Sequence, residues 1–316
     1  MHGPVSSSPD RRGDAGAPAP ISRRALLGMM AAAVAGAGGG GAEATPLRRA
    51  IPSSKEALPV IGLGTWQTFD VGGGAERSPL RQVLQRFVAL GGRVVDSSPM
   101  YGRAEAVVGD LAAEDGLRDS LFVATKVWTN GRAAGVAQLE ASLRHFRTRT
   151  LDLVQVHNLV DWRTHLTTLR EWKHAGRIRY LGVTHYTASA YGELEKVMRA
   201  EPLDFVQLNY SVTEREAEQR LLPLAAERGM AVLVNRPFAE GALLRRVRGR
   251  AVPTWASDLG CTSWAQLFLK WIVAHPAVTC VIPATSRPEH LEDNMQAGRG
   301  PLPDAAARER IAAAVA

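Results

Sequence analysis

The chain has 316 residues, 46% of them hydrophobic and 22% charged, with a net charge of +7. That is enough apolar chain for one large core or two smaller ones. The positive charge shows no basic stripe interleaved with aromatics, so no nucleic-acid partner is expected. The one dense run, Arg245-Arg246-Val247-Arg248-Gly249-Arg250, reads as a solvated loop or a patch beside a cofactor. Cys261 and Cys280 lack metal-ligand spacing, so no metal is expected and no disulfide is assigned.

Residues 1–44 stand apart from the rest. Arg23-Arg24 directly precedes an apolar stretch from Ala25 through Val34 to Ala37, and Ala42-Glu43-Ala44 has the small-x-small form of a cleavage site. A basic segment, a short apolar segment and such a site describe an export signal. The paired arginines point to the twin-arginine export machinery as a partner. A disordered Ala/Gly tail or an uncleaved anchor are the plainer readings. The apolar stretch is about half of the ~20 residues needed to cross a bilayer, so no permanent membrane span is expected. The expected organisation is a signal over 1–44 and one domain over 45–316. The expected compartment is the periplasm, or the cytoplasm if the signal is not used.

In the domain, Ile51 to Pro59 places Pro52, Ser53 and Ser54 between short apolar pieces and predicts a hairpin across the floor of the fold. Eight short apolar segments follow: 61–64, 93–96, 121–125, 151–156, 178–183, 205–208, 231–234 and 278–282. Between them lie stretches with helical spacing. Leu80, Val83, Leu84, Phe87 and Leu90 form one apolar face that Gly91-Gly92 terminates. Continuous apolar strands alternating with helices imply a parallel sheet covered on its faces. Eight such units over roughly 250 residues match an α/β fold of the (β/α)8 TIM-barrel type. A doubly wound open sheet is the rival, weakened because no Gly-x-Gly-x-x-Gly follows the first strand.

Asp96 ends the second segment, Tyr101 follows five residues later, Lys126 follows the third and His157 the fourth. Singly, an Asp at a strand end is often a helix cap, a Lys solvated, and a His a satisfied core residue. In a barrel, however, these strand ends converge on one mouth. Reduction of a carbonyl by hydride leaves an alkoxide that needs a proton. A tyrosine can supply it, but its pKa of ~10 makes it a reluctant acid. A neighbouring ammonium should lower that pKa, and a carboxylate would fix the ammonium. A histidine at the same mouth can orient the carbonyl oxygen. The hydride itself must come from a cofactor.

These residues sit in runs that resemble the aldo-keto reductase family: Leu58-Pro59-Val60-Ile61-Gly62-Leu63-Gly64-Thr65-Trp66, Asp96-Ser97-Ser98-Pro99-Met100-Tyr101-Gly102, Thr125-Lys126-Val127-Trp128 and Val156-His157-Asn158. The resemblance spans essentially all of 45–316. It implies Tyr101 as general acid, Lys126 and Asp96 as its tuners, and His157 as substrate orienter. It also implies cofactor contacts from Gly64, Thr65, Trp66 and Asp96, from Thr184 and His185 in Gly182-Val183-Thr184-His185-Tyr186, and from Gln207. His185 stands where the family usually has asparagine. Asn235-Arg236-Pro237-Phe238 stands where relatives carry a Tyr or Trp that stacks on the nicotinamide, so Arg236 or Phe238 would have to compensate. Ser286, Arg287, His290, Asp293 and Asn294 match the segment that holds the adenosine phosphate, with Arg287 the best partner for a 2′-phosphate. NADP(H) is therefore favoured over NAD(H). Trp66 and Trp128 would line the pocket for a small-molecule carbonyl substrate, although simple packing at the barrel end would also explain them. After Asn294 no long substrate loop is seen, and an open, weakly selective pocket is expected. The other function in view is a non-catalytic nicotinamide-binding subunit that senses redox state or regulates a partner.

Overall fold

The computed structural model describes residues 45–315; the expected export signal lies outside the described residues. Strands β1 (Arg48–Ala50) and β2 (Ala57–Pro59) pair antiparallel. The hairpin thus begins three residues before the expected start, and residues 51–56 form its turn. Eight parallel strands follow: β3 (Leu63–Gly64), β4 (Val94–Asp96), β5 (Phe122–Val127), β6 (Leu151–His157), β7 (Ile178–His185), β8 (Phe205–Asn209), β9 (Ala231–Asn235) and β10 (Val278–Val281). Each is hydrogen-bonded to the next in sequence. The sheet closes on itself where Gly62 N donates to Val281 O (2.8 Å) and Gly64 N to Pro283 O (3.0 Å). A (β/α)8 barrel results, as the alternation of apolar strands and helices predicts.

The outer layer comprises α1 (Arg77–Ala89), α2 (Ala104–Glu114), α3 (Arg132–His145), α4 (Trp162–His174), α5 (Tyr191–Ala200), α6 (Leu221–Glu227), α7 (Ala242–Arg246), α8 (Trp264–Val273), α9 (Pro288–Gln296) and α10 (Ala305–Ala313). Leu80, Val83, Leu84 and Phe87 bury the expected face of α1, and Gly91 at φ +87° ends that helix. One apolar cluster fills the space between strands and helices. A second, inside the barrel, joins Val94, Phe122, Tyr180, Phe205 and Ala231, all at the N-terminal ends of strands, to Ile51 and Leu58 of the hairpin. The hairpin therefore plugs the floor. Its turn is tied there by Tyr180, whose hydroxyl meets Ser54 Oγ (2.7 Å) and Glu56 Oε2 (2.9 Å).

The arginine run is not simply solvated. Arg246 donates to Val315 O (2.6 Å) and Arg250 to Ala314 O (2.8 Å), while the Arg250 guanidinium lies over the Trp264 ring. These two cations bind carbonyls at the C-terminal end of α10, where the helix dipole favours positive charge. Cys261 and Cys280 are both buried free thiols. No helix among the described residues is long and apolar enough to cross a membrane.

Leu58 is fully buried in the floor plug, so Leu58→Ala should lower the unfolding free energy by about 2–4 kcal/mol. Urea denaturation checks this, and a loss under ~0.5 kcal/mol, the level of an ordinary surface change, would rule out the plug.

Candidate active site

Side chains alternate along a strand, so only every second residue of each barrel strand faces the interior. On β6, Leu153 faces the floor cluster while Val154 and Val156 belong to the outer core. Gln155 and His157 continue the inward series above Leu153. The strands are short, so this series turns from apolar to polar within two steps. The polar layer contains Asp96, Lys126, Gln155 and Gln207, all buried.

Lys126 and Asp96 form an ion pair at 2.6 Å, with their side chains 1% and 3% exposed. Lys126 Nζ also donates to Ser97 O (2.7 Å). The Asp96 carboxylate further accepts from Gln155 Nε2 (3.4 Å) and Gln207 Nε2 (3.3 Å). Burial opposes the Lys126 ammonium, but Asp96 and Tyr101 outweigh it and hold its pKa above the ordinary lysine value.

Tyr101 lies directly above, with Lys126 Nζ 5.1 Å from its ring centroid. Its place is set by a tight turn in which Tyr101 N donates to Ser98 O (2.9 Å). Gly102 follows at φ +61°, where a Cβ would also run into the Asp70 carboxylate at 2.2 Å. The expectation that Lys126 depresses the phenol pKa holds in direction only for that one interaction. Burial pushes the Tyr101 phenol up, Lys126 pulls it down and Asp96 raises it, and the result lies above the usual tyrosine range. Tyr101 is therefore held protonated, and Lys126 moderates the cost of burial rather than making a phenolate.

His157 meets Tyr101 edge-on, with ring centroids 6.0 Å apart. Burial, then the charges of Lys126 and His185, lower its pKa to about 3, so the ring is neutral near pH 7. Its Nδ1 lies 3.2 Å from Ser98 Oγ. If Ser98 donates, the ring proton sits on Nε2 and can be offered to a carbonyl oxygen.

The remaining expected residues fall into two groups. Around the mouth, Thr184 and Gln207 are buried side by side on β7 and β8. His185 is half-buried, and its Nδ1 accepts from Thr187 N (3.2 Å). Its ring stacks on Tyr186 at an interplanar angle of 6°. Arg236 donates to Tyr186 O (2.9 Å) and sits over that ring, so it braces this stack. Phe238 packs against the core instead, and Pro237 is buried beside it. Of the two residues expected to compensate for Asn235, only Arg236 is in contact with the mouth aromatics.

The second group serves structure at least in part. Gly64 closes the barrel, where a Cβ would meet Ile282 O at 2.8 Å. Thr65 Oγ1 donates to Asp96 O (3.0 Å) and touches Ser97 Oγ (2.9 Å). Asp293 accepts from Ser263 Oγ (2.7 Å) and Gln266 Nε2 (2.6 Å), which fastens α9 to the first turn of α8. Ser286, Arg287 and His290 are exposed around the start of α9, while Asn294 is buried. Arg287 is paired with Glu289 (2.5 Å). Among the described residues no three His, Cys, Asp or Glu side chains are grouped to hold a metal ion.

Three partners were not foreseen from sequence. Gln155 lies in the polar layer, Ser98 contacts His157, and buried Glu105 binds Thr125 and Ser142 (2.9 Å) behind β5. Only Gln155 carried a usable signal, being a polar residue two positions before His157 in an inward-facing series.

A nicotinamide cofactor suits this mouth on one structural test. Buried atoms without a hydrogen-bond partner include Asn158 Oδ1, Asn235 Oδ1 and Arg236 Nε, at the end of β9 or in the loops that follow β6 and β9. Buried polar groups rarely stay unmatched, so these are places where a ligand's amide and hydroxyl groups can bond. Thr184, His185 and Gln207 would hold the carboxamide end, and Ser286, Arg287 and Asn294 the phosphate end.

Because folded His157 resists protonation down to about pH 3 while an unfolded histidine titrates near 6.5, the unfolded chain binds the extra proton in between. Stability supplied by His157 is thus present above pH 6.5 and lost as pH falls toward 3. Histidine-selective NMR should find His157 still neutral at about pH 5, a value well above its lowered pKa; a ring that titrates near 6.5 would overturn its buried, cation-facing placement.

Comparison with known proteins agrees with this geometry. The model of the aldo/keto reductase family matches residues 60–313. The chain is 29% identical over 249 residues to methylglyoxal reductase YeaE of Escherichia coli K12, covering 77% of this chain and 86% of that protein. It is 30% identical over 202 residues to aldo-keto reductase YhdN of Bacillus subtilis, covering 58% of this chain and 59% of that one. The crystal structure of an aldo-keto reductase from Klebsiella pneumoniae in complex with NADPH superposes with a TM-score of 0.71 at 27% identity, covering 83% of this chain and 92% of that one. With its barrel, its buried strand-end residues and a family match over most of its length, this chain belongs to the aldo/keto reductase family.

Proposed function

We propose that the protein reduces an aldehyde or ketone to an alcohol with NADPH, Tyr101 acting as general acid. The observation that carries this reading is the buried Lys126–Asp96 pair lying beneath a protonated Tyr101 and beside a neutral His157. Bound NADPH would supply the hydride. His157 would hold the carbonyl oxygen by its ring N–H and place it within reach of the Tyr101 hydroxyl. As negative charge grows on that oxygen, Tyr101 gives up its proton. Lys126 then faces a developing phenolate, which its charge stabilises at short range in a site of low polarity.

The substrate class follows from the rim. Trp66, Met100, Trp128 and Tyr186 are each 41–47% exposed around the mouth, an unusual concentration of large apolar surface. Trp128 lies 6.5 Å from His157 between ring centroids. Such a rim favours carbonyl compounds with an aromatic or aliphatic body over strongly charged ones. NADPH is favoured over NADH because Arg287 stands beside the start of α9, and its carboxylate partner Glu289 is exposed and can be exchanged for a phosphate.

Initial rates with NADPH and NADH against a panel of aldehydes and ketones test this. Tyr101→Phe should retain NADPH binding and lose about 10²- to 10⁴-fold in kcat, the range for removal of a general acid. A variant that stays fully active would defeat the assignment. Tight NADPH binding without turnover of any carbonyl would point to the non-catalytic nicotinamide-binding reading. Export by the twin-arginine route is proposed with it, since that route carries folded proteins and would let the cofactor bind first. Cell fractionation comparing the native chain with an Arg23→Lys/Arg24→Lys variant decides it, and an unchanged distribution would count against export.

A further inference from the structure

Gln155 makes two directed contacts that link the parts of the site. One N–H of its amide points to Asp96 Oδ1 (3.4 Å), and the same nitrogen donates to Gln207 Oε1 (2.8 Å). Gln207 Nε2 in turn donates to Asp96 Oδ2 (3.3 Å). A carboxylate only accepts, so both amides must turn nitrogen toward Asp96, and that fixes their orientation. Gln207 Oε1 is then left facing Gln155. The three side chains form a closed ring around a single charge.

The way is open for this ring because the inward position of β7 beside Gln155 is Gly182. A side chain there would collide with Phe205, whose carbonyl oxygen is 2.4 Å from the Cβ position. Gln155 thus reaches across one strand to a partner two strands away. It does so at a cost, since Gln155 Oε1 is buried without a hydrogen-bond partner. An isosteric methionine would fill the same space with no such penalty. The amide is kept for its two donors.

We infer that Gln155 is a positioning residue that couples the proton-donating side of the site to the nicotinamide side, steadying Asp96 with one N–H and orienting Gln207 with the other. The inference rests on the reading of Tyr101 as acid and of Gln207 as a contact of the nicotinamide. The groups facing the Asp96–Tyr101 unit are Lys126 from β5, His157 from β6 and the buried Cys280 thiol from β10, with His185 from the end of β7 acting on His157. Of these only Lys126 is charged at neutral pH. Withdrawing a donor from Asp96 leaves more of its negative charge unmatched, which disfavours the Tyr101 phenolate. The Tyr101 pKa must therefore rise.

Three variants, Gln155→Met, Gln207→Met and the double variant, test the coupling by NADPH fluorescence titration. Tyr101 is titrated directly by NMR of labelled tyrosine, assigned by loss of its signal in Tyr101→Phe. Gln155→Met should weaken NADPH binding by about threefold to tenfold, and the double variant should bind about as weakly as Gln207→Met alone. The Tyr101 titration and the basic limb of kcat/KM should move up by about half a pH unit or more. Gln207→Met should weaken binding with a smaller move of the limb. Should Gln155→Met fail to fold, Gln155→Leu removes the same two donors with another apolar side chain, and it should move Tyr101 in the same direction. A folded Gln155 variant with unchanged NADPH affinity and unchanged Tyr101 titration overturns the inference, as do additive effects in the double variant. If the native chain turns over no carbonyl, the reading of its activity fails, but the titrations still decide the role of Gln155.

Discussion

The site depends on a charge pair held where charge is least tolerated. Taking Lys126 and Asp96 out of water costs several kcal/mol for each ion, and their mutual attraction repays it only when the geometry is good and the leftover donors and acceptors are matched. Here the matching is nearly complete: a backbone carbonyl takes one ammonium proton and two amides cover the carboxylate. That is possible because the closed barrel brings residues of four strands, β4, β5, β6 and β8, to the same height. An open sheet could place two or three of these groups together, but not the set. The family fold and the chemistry are thus linked through one expensive interaction rather than through four independent residues.

The same depth sets the protonation of the residues above the pair. His157 is neutral because it is buried beside a cation, and Tyr101 is protonated because burial outweighs that cation. Each then has a proton to offer. Around them the loops are conformationally strained. Asn158, Leu159 and Asp161 after β6, and Arg236, Ala239 and Glu240 after β9, all occupy the left-handed region without being glycine. Such residues cost of order 1–3 kcal/mol each and persist only where the surroundings impose them. Asp161 is held by Gly131 N (2.8 Å), and Arg236 by Tyr186 O. Rigid strands below and strained, cross-tied loops above give the mouth a fixed shape.

Much of this was legible in the residues. The barrel could be read from eight apolar segments, and the buried polar set at its mouth from polar residues at or just beyond the ends of the second to fourth. What could not be read depends on which distant parts of the chain meet in space. Gln155 meets Asp96 across 59 positions and Gln207 meets Asp96 across 111; the inward-facing series marks Gln155 as polar, but no local pattern announces the partner of either. Asp293 stands in the segment that resembles the adenosine-phosphate site, and its bonds to the start of a neighbouring helix could not be read from that resemblance. The arginine run looked like solvated charge, but two of its members bind carbonyls at the end of α10. The lowering of the Tyr101 pKa by Lys126 was legible, but the net upward shift imposed by burial was not. A sequence names the neighbouring charge but not the depth at which both groups sit.

The hairpin plug has a consequence for how the molecule breathes. With Ile51 and Leu58 packed into the N-terminal end and Glu56 tied to Tyr180, the described residues form a flask with a stopper at the bottom. Under the proposed mechanism each turnover would take one proton from Tyr101, and that proton would have to be restored before the next. With the N-terminal end filled by apolar side chains, that proton would come from the open end, where the alcohol also leaves. Recharging the acid and discharging the product would then share one end of the barrel.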